Sequence, residues 1–252
     1  MLQLPKVIGH RGAAAYAPEN TLASFREAKR RGASWVEFDV KLAACGTPIL
    51  MHDSSLKRTA GLDRLASELS WAEIAKLDAG SWFGPQFAGE RVPSFEQTIA
   101  CLIELGLGAN VEIKPCAGRE VETAVAVVEM LRQSWQALPP VLLSSFEDAS
   151  LAAAHEAAPK FPRAILIDEL GENWRRRAEG VQALGVNTNG KKLAAERAAE
   201  ISRAGYALSV YTINDPAQAR ALVAMGVDCV ITDAPDIVLD ALAEGSAADA
   251  AI

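Results

Sequence analysis

Eight short apolar runs, each followed by a segment of helical period, predict an α/β protein of the (β/α)8 barrel class with a small insertion after the second strand. Strand and helix signals alternate, as a parallel sheet with crossover helices requires. The chain has 252 residues, half of them hydrophobic, ample for a large core and the usual size of one such barrel. Reactive polar side chains also collect at the C-terminal ends of the strands, where barrels place their sites. An open doubly wound sheet would normally use fewer strands.

The first strand, Val7 to Gly9, delivers His10-Arg11-Gly12. Pro18-Glu19-Asn20-Thr21 introduces a helix over Thr21 to Arg31, with Asn20 or Thr21 as its cap and Glu19 beside the positive end of the helix dipole. In the second strand, Trp35 to Lys41, alternation sends Glu37 and Asp39 to one side and Val36, Phe38 and Val40 to the other. His52 ends another strand beyond it. Asp53 to Pro93 breaks the repeat: it is long, rich in glycine and aromatics, and occupies the place of a short βα connection. It is expected to be an insertion over the site mouth, ordered because it carries Trp71, Trp82, Phe83 and Phe87.

The repeat then resumes with a helix from Phe95 to Leu105 and a strand from Asn110 to Lys114, whose Glu112 and Lys114 share a face while Val111 and Ile113 turn to the helices. Strands follow at Val141 to Ser144, Ala164 to Ile167, Val186 to Thr188, Ala207 to Tyr211 and Cys229 to Thr232. Helices alternate with them at Arg119 to Trp135, Asp148 to Ala157, Glu172 to Leu184, Ala194 to Ala204, Pro216 to Met225 and Pro235 to Ala243. One barrel domain over 1–243, an insertion near 53–93 and a frayed Ala-rich tail over 244–252 are expected.

The formal net charge of -7 argues against binding nucleic acid through a general basic surface, but leaves room for a focal anion site. Cys45, Cys101, Cys116 and Cys229 form neither a CxxC pair nor a disulfide scaffold and read as reduced packing residues. Met1 to Lys6 lacks the apolar core of a signal peptide, and no stretch is apolar enough to span a bilayer. A cytoplasmic protein without stable membrane insertion is therefore expected; oligomeric state is not legible.

Two carboxylates on one strand face create the main electrostatic problem. At about 4 Å and an effective dielectric near 20 they repel by roughly 4 kcal/mol, more than one or two hydrogen bonds at about 1 kcal/mol each offset. A cation is the simplest remedy, and Glu112 would be a third ligand for a hard ion, magnesium or calcium. The alternative is that Lys114 or Lys41 neutralises the acids in a buried ion network. His10 and His52 suit general acid and base work near neutral pH, although a lone strand-end histidine is more often a packing residue. His155, on an Ala-rich helix, reads as packing or surface. Arg11 can bind phosphate oxygens bidentately and Lys114 can add a point charge. Together these groups point to phosphate-ester chemistry.

The strings His10-Arg11-Gly12, Pro18-Glu19-Asn20-Thr21, Glu37-Phe38-Asp39-Val40, His52-Asp53 and Glu112-Ile113-Lys114, in this order and spacing, resemble the glycerophosphodiester phosphodiesterase family. Gly80-Ser81-Trp82-Phe83, Arg91-Val92-Pro93-Ser94, Thr212-Ile213-Asn214-Asp215 and Ile231-Thr232-Asp233 extend the resemblance over most of the chain. It implies a TIM-type barrel that hydrolyses small-molecule glycerophosphodiesters to sn-glycerol 3-phosphate and an alcohol with one divalent cation, Mg2+ or Ca2+. By the same resemblance, His10 and His52 are the acid and base pair, Glu37, Asp39 and Glu112 hold the metal, and Arg11 and Lys114 bind phosphate, with Glu19 joining the site. Loops after Phe146, Asn189 and Tyr211, together with the insertion, would sort alcohol head groups. Two departures stand out: Cys45-Gly46 replaces the usual Asp-Gly, and Tyr211 stands where Trp is common. Two other classes compete, a barrel lyase or aldolase using Lys114 as a Schiff-base nucleophile and a non-catalytic barrel that binds a phosphorylated ligand.

Overall fold

The computed structural model describes residues 2–135 and 139–249, the side chains of 245–249 excepted. Eight parallel strands close into a ring: β1 (Val7–Gly9), β2 (Trp35–Leu42), β4 (Gly108–Ile113), β5 (Val141–Ser145), β6 (Arg163–Ile167), β7 (Gly185–Asn189), β8 (Ala207–Tyr211) and β9 (Cys229–Thr232). β1 pairs with both β2 and β9, which closes the barrel. A short strand outside the ring, β3 (Pro48–Leu50), runs antiparallel to β2 with Val40 opposite Leu50, and His52 follows two residues later.

The outer helices are α1 (Leu22–Arg30), α4 (Phe95–Leu105), α5 (Glu120–Ser134), α6 (Asp148–Ala157), α7 (Trp174–Gly180), α8 (Ala195–Arg203), α9 (Pro216–Ala224) and α10 (Pro235–Asp249). The core lies between strands and helices, where Val36, Phe38, Val40, Val111 and Ile113 meet Phe25, Phe95 and Val127. On the far side Ile165, Val186, Leu208 and Val230 pack on Trp174 and Leu222. Each such side chain contributes roughly 1.5–3 kcal/mol by leaving water. Inside the ring, Ile8, Trp35, Leu142, Ala164 and Cys229 plug the lower end.

The insertion contains α2 (Lys57–Ala60), α3 (Trp71–Ile74) and two single 3₁₀ turns. Its apolar centre is built from Met51, Leu56, Leu69, Ile74 and Val92. Trp82, Phe83 and Phe87 meet edge to face at 5.6 and 5.5 Å. Elsewhere the elements differ from expectation at their ends. α7 stops at Gly180 because Gln182 turns left-handed at φ 49° and Leu184 already bonds Arg163 alongside β6. α10 runs on to Asp249 through the segment expected to fray, where alanine favours helix; residues 250–252 of that segment lie outside the described residues. Among the described residues no helix is long and apolar enough to cross a membrane.

The turn after β1 fixes where the first site residues stand. Arg11 is left-handed at φ 49°, a conformation that costs a non-glycine residue about 1–2 kcal/mol. Ser24 of α1 clamps it, its Oγ accepting from the amide of Ala13 and donating to the carbonyl of Arg11, both at 2.8 Å. Gly12, at φ 94°, leaves that approach open: a Cβ there would lie 2.3 Å from Ser24 Oγ. Gly12→Ala is expected to destabilise the protein by about 2–4 kcal/mol through strain and overpacking. The test is a fall in urea midpoint at constant slope; an unchanged midpoint would contradict this account of the turn.

Candidate active site

Strand register assembles the site. Asp39 of β2 lies opposite Glu112 of β4, and Glu37 lies opposite Asn110, so the three acids converge from two adjacent strands. One carboxylate oxygen from each lies within 4.8 Å of the others. Exposures of 4%, 1% and 7% for Glu37, Asp39 and Glu112 leave little water to screen them. Burial pushes Glu37 well above the usual carboxylate range, and the charges of Asp39 and Glu112 push it further. Burial, then Asp39, raises Glu112 to about 7 against the pull of Lys114. Asp39 goes the other way: burial opposes ionisation, but Lys114, Arg11 and His52 outweigh it.

The cations do not cancel the acids. Lys114 Nζ donates to Asp39 Oδ1 at 3.1 Å and Glu112 Oε1 at 2.9 Å, as the neutralisation reading expected. Lys41, 1% exposed, turns instead to the carbonyl of His52 at 3.0 Å. Arg11 is shared: Nη1 donates to Glu19 at 2.7 Å and Nε lies 3.4 Å from Asp39. Among the described residues Glu37 receives only the backbone amide of Arg11, at 3.1 Å, with His10 Nε2 3.9 Å away. The trio therefore lacks the positive charge it needs to ionise fully and offers three converging carboxylates, the donor chemistry of a hard divalent cation.

Register also places the histidines. Gly9 pairs with Val36 and with Thr232, so one residue further on His10 stands between Glu37 and Asp233. His10 Nδ1 lies 2.6 Å from Asp233 Oδ1, and Asn214 donates to the other oxygen of Asp233 at 2.7 Å. His52 Nδ1 likewise lies 2.6 Å from Asp53 Oδ1. Because a carboxylate only accepts, each imidazole is assigned the tautomer with hydrogen on Nδ1, leaving Nε2 as the unprotonated ring nitrogen. A hydrogen bond from Arg58, more than any other influence, holds Asp53 down to about 2.

Arg58, on α2 of the insertion, joins the two arms of the site. Its Nε donates to Asp53 at 2.7 Å, while Nη1 and Nη2 grip Glu19 at 2.7 and 2.8 Å. Glu19 is thus a partner of two arginines and not a simple helix-dipole residue. Of the two candidate caps of α1, Thr21 accepts from Ser24 N at 3.2 Å. Asn20, left-handed at φ 56°, instead donates to Asp39 Oδ2 at 2.8 Å and accepts from the Asp39 amide. Sequence reasoning gave no role to Asn20 in the site, nor to Asp53, Arg58, Asn214 or Asp233. All but Arg58 lie in strings already noted as motifs, but the strings do not say which side chains meet.

His10, Arg11, Glu37, His52, Glu112 and Lys114 line one cavity of about 270 Å3, with Phe146 and Tyr211 in its wall. These two rings meet edge to face at 6.2 Å. A second hollow of about 240 Å3, on the side of Lys41 and Glu147, shares His52, Glu112, Lys114 and Phe146 with the first. A larger open groove near Asp148 and Arg177 contains neither histidine nor any of the three acids. His155 lies outside both hollows, on α6.

Residues 10–237 match the model of the glycerophosphoryl diester phosphodiesterase family. A solved phosphodiesterase from Oleispira antarctica, in complex with the product sn-glycerol 3-phosphate, is 38% identical with a TM-score of 0.93, covering 95% of this chain and 97% of its own. Glycerophosphodiester phosphodiesterases from Caldanaerobacter subterraneus subsp. tengcongensis and Bacillus subtilis are each 30% identical, covering 95% and 91% of this chain and 98% and 84% of their own lengths.

The acid trio makes a prediction about metal binding. Magnesium or calcium at a hundred times its Kd should stabilise the wild-type protein by about 2.7 kcal/mol. Glu37→Gln, which mimics the protonated acid, should leave metal-free stability near wild type while removing most of the metal-induced gain. Thermal melts with and without chelator measure both quantities; a full metal-induced shift in the variant would exclude Glu37 as a ligand.

Proposed function

The chain belongs to the glycerophosphoryl diester phosphodiesterase family and hydrolyses glycerophosphodiesters, and from that premise we propose that it does so with one divalent cation and two histidines. Glu37, Asp39 and Glu112 would hold the cation, Mg2+ or Ca2+. The single observation carrying this reading is that two Nδ1-anchored imidazoles line one cavity with Glu37 and Glu112, two members of the converging acid trio. When bound, such an ion supplies positive charge to the phosphoryl oxygens.

The chain's own groups do the rest. Arg11 and Lys114 take the phosphate, their positive charge offsetting the charge that develops at phosphorus. One imidazole accepts at Nε2 a proton from the nucleophile, a water or the substrate's own 2-hydroxyl, and the other, entering the cycle as the imidazolium, donates its Nε2 proton to the leaving alcohol; on the 2-hydroxyl route a water then opens the cyclic phosphate. Asp53 and Asp233 keep both rings in register throughout. The two hollows that meet at His52 and Lys114 give the halves of a diester separate places on either side of the phosphate. We assign this activity to a single barrel over 1–243 with the insertion at its mouth. Four free cysteines support a cytoplasmic setting.

The aldolase alternative needs a neutral amine on Lys114. Burial opposes the ammonium there, but Asp39 and Glu112 outweigh it and raise the lysine above its usual value. The binding-barrel alternative leaves two carboxylate-anchored histidines without work.

The test measures sn-glycerol 3-phosphate release from a panel of glycerophosphodiesters with and without chelator. Activity should depend on added cation, and His10→Ala and His52→Ala should each lose about 10²–10⁴-fold in kcat. A full rate in chelator would remove the metal from the reading, and undiminished turnover in either variant would remove that histidine.

A further inference from the structure

The two hollows on either side of the phosphate site differ in one respect: the first contains buried oxygens that lack hydrogen-bond partners. Asn110 Oδ1, Ser144 Oγ and the Tyr211 hydroxyl are all buried and unpartnered, and all three residues line the first hollow. Asn110 and Ser144 are 1% and 0% exposed. Among the described residues, none lining the second hollow presents a buried side-chain oxygen or nitrogen without a partner. A buried polar group left unpaired costs free energy, so three around one hollow mark a cavity shaped for a polar guest.

Strand register explains their grouping. Ser144 lies opposite Glu112, and Asn110 lies opposite Glu37 one inward position below Glu112 on β4. Tyr211 closes the other side from the end of β8. The donor and acceptor pattern then selects the guest. Asn110 Oδ1 can only accept, whereas the Ser144 and Tyr211 hydroxyls can do either. A hydroxyl, which both donates and accepts, satisfies all three. An anionic group could not donate to Asn110 and would face Glu37 and Glu112. A cationic group would share the hollow with Arg11 and Lys114. An alkyl group would leave every oxygen unpaired, while Leu166 and Ile231 provide apolar wall for a short carbon chain.

We propose that Asn110, Ser144 and Tyr211 form a hydroxyl-binding subsite that receives the free hydroxyls of the glycerol half of the substrate in the first hollow, with the alcohol half in the second. The subsite deepens the functional reading above and rests on it. Selectivity for a polyol ester over a simple alkyl ester thus comes partly from side chains that touch neither the metal site nor the phosphate.

The experiment compares binding of sn-glycerol 3-phosphate and n-propyl phosphate, which lacks the two hydroxyls, by calorimetry with saturating magnesium. Wild type should favour glycerol 3-phosphate. Ser144→Ala and Tyr211→Phe should each lower that preference about three- to tenfold, the worth of one neutral hydrogen bond. Propyl phosphate titrated into the same variants reports a folded phosphate site, and the two substitutions serve as independent readings. A preference that survives intact in both variants overturns the subsite while leaving the functional reading in place. Failure of wild type to bind glycerol 3-phosphate at all would overturn the functional reading itself.

Discussion

Three carboxylates forced together by the pairing of two neighbouring strands are the constraint around which the rest of the site is organised. Asp39 and Glu112 lie opposite one another in the ladder, and Glu37 sits one inward position below Asp39. Burial removes the water that would screen them. Such a cluster persists only where cations and donors are held nearby, which accounts for the directions from which the chain approaches it. Arg11 comes from the turn after β1, Lys114 from the end of β4 and Asn20 from the start of α1. These groups ionise Asp39 but leave Glu37 and Glu112 raised. Because the nearby cations are too few to ionise all three acids, the cluster is a place for a metal instead of a finished ion network.

The same constraint explains the local strain. Arg11 and Asn20 are both left-handed, a conformation that side chains adopt at a cost. The amide of Arg11 reaches Glu37 from that turn, its carbonyl accepts from the amide of Asn20 at 3.1 Å, and the Asn20 side chain makes two bonds to Asp39. Strain in one short loop is thus offset by bonds to the acids. Ser24, anchored in a helix packed through Phe25 on Phe38, keeps the loop from relaxing. Rigidity at the site is inherited from the hydrophobic shell outside the barrel.

The insertion belongs to this network through one side chain. Arg58 holds Asp53 and Glu19 together, and these in turn hold His52 and Arg11. A segment without a place in the βα repeat therefore orients groups on the barrel itself. His10 is served in the same way from the other edge by Asp233, at the closure of the ring. The two imidazoles are oriented by unrelated parts of the chain, yet both line one cavity.

Much of this was legible in the sequence. Period-two alternation put Glu37 and Asp39 on one face and Val36, Phe38 and Val40 on the other, because side-chain direction along a strand is a local property of the backbone. The apolar and helical periods likewise marked the eight barrel strands and the helices between them, and the family motifs lay in order along the chain. Tertiary structure alone decided which residues meet. Whether Glu112 falls beside Asp39 depends on register between strands separated by more than sixty residues and a whole insertion. The pairing of His10 with Asp233 spans 223 positions. Asn20 as a clamp on Asp39, Arg58 as a bridge and the unpaired oxygens of Asn110, Ser144 and Tyr211 follow from closure of the ring. Local propensity specifies where a side chain points, but only packing across the barrel specifies what it points at.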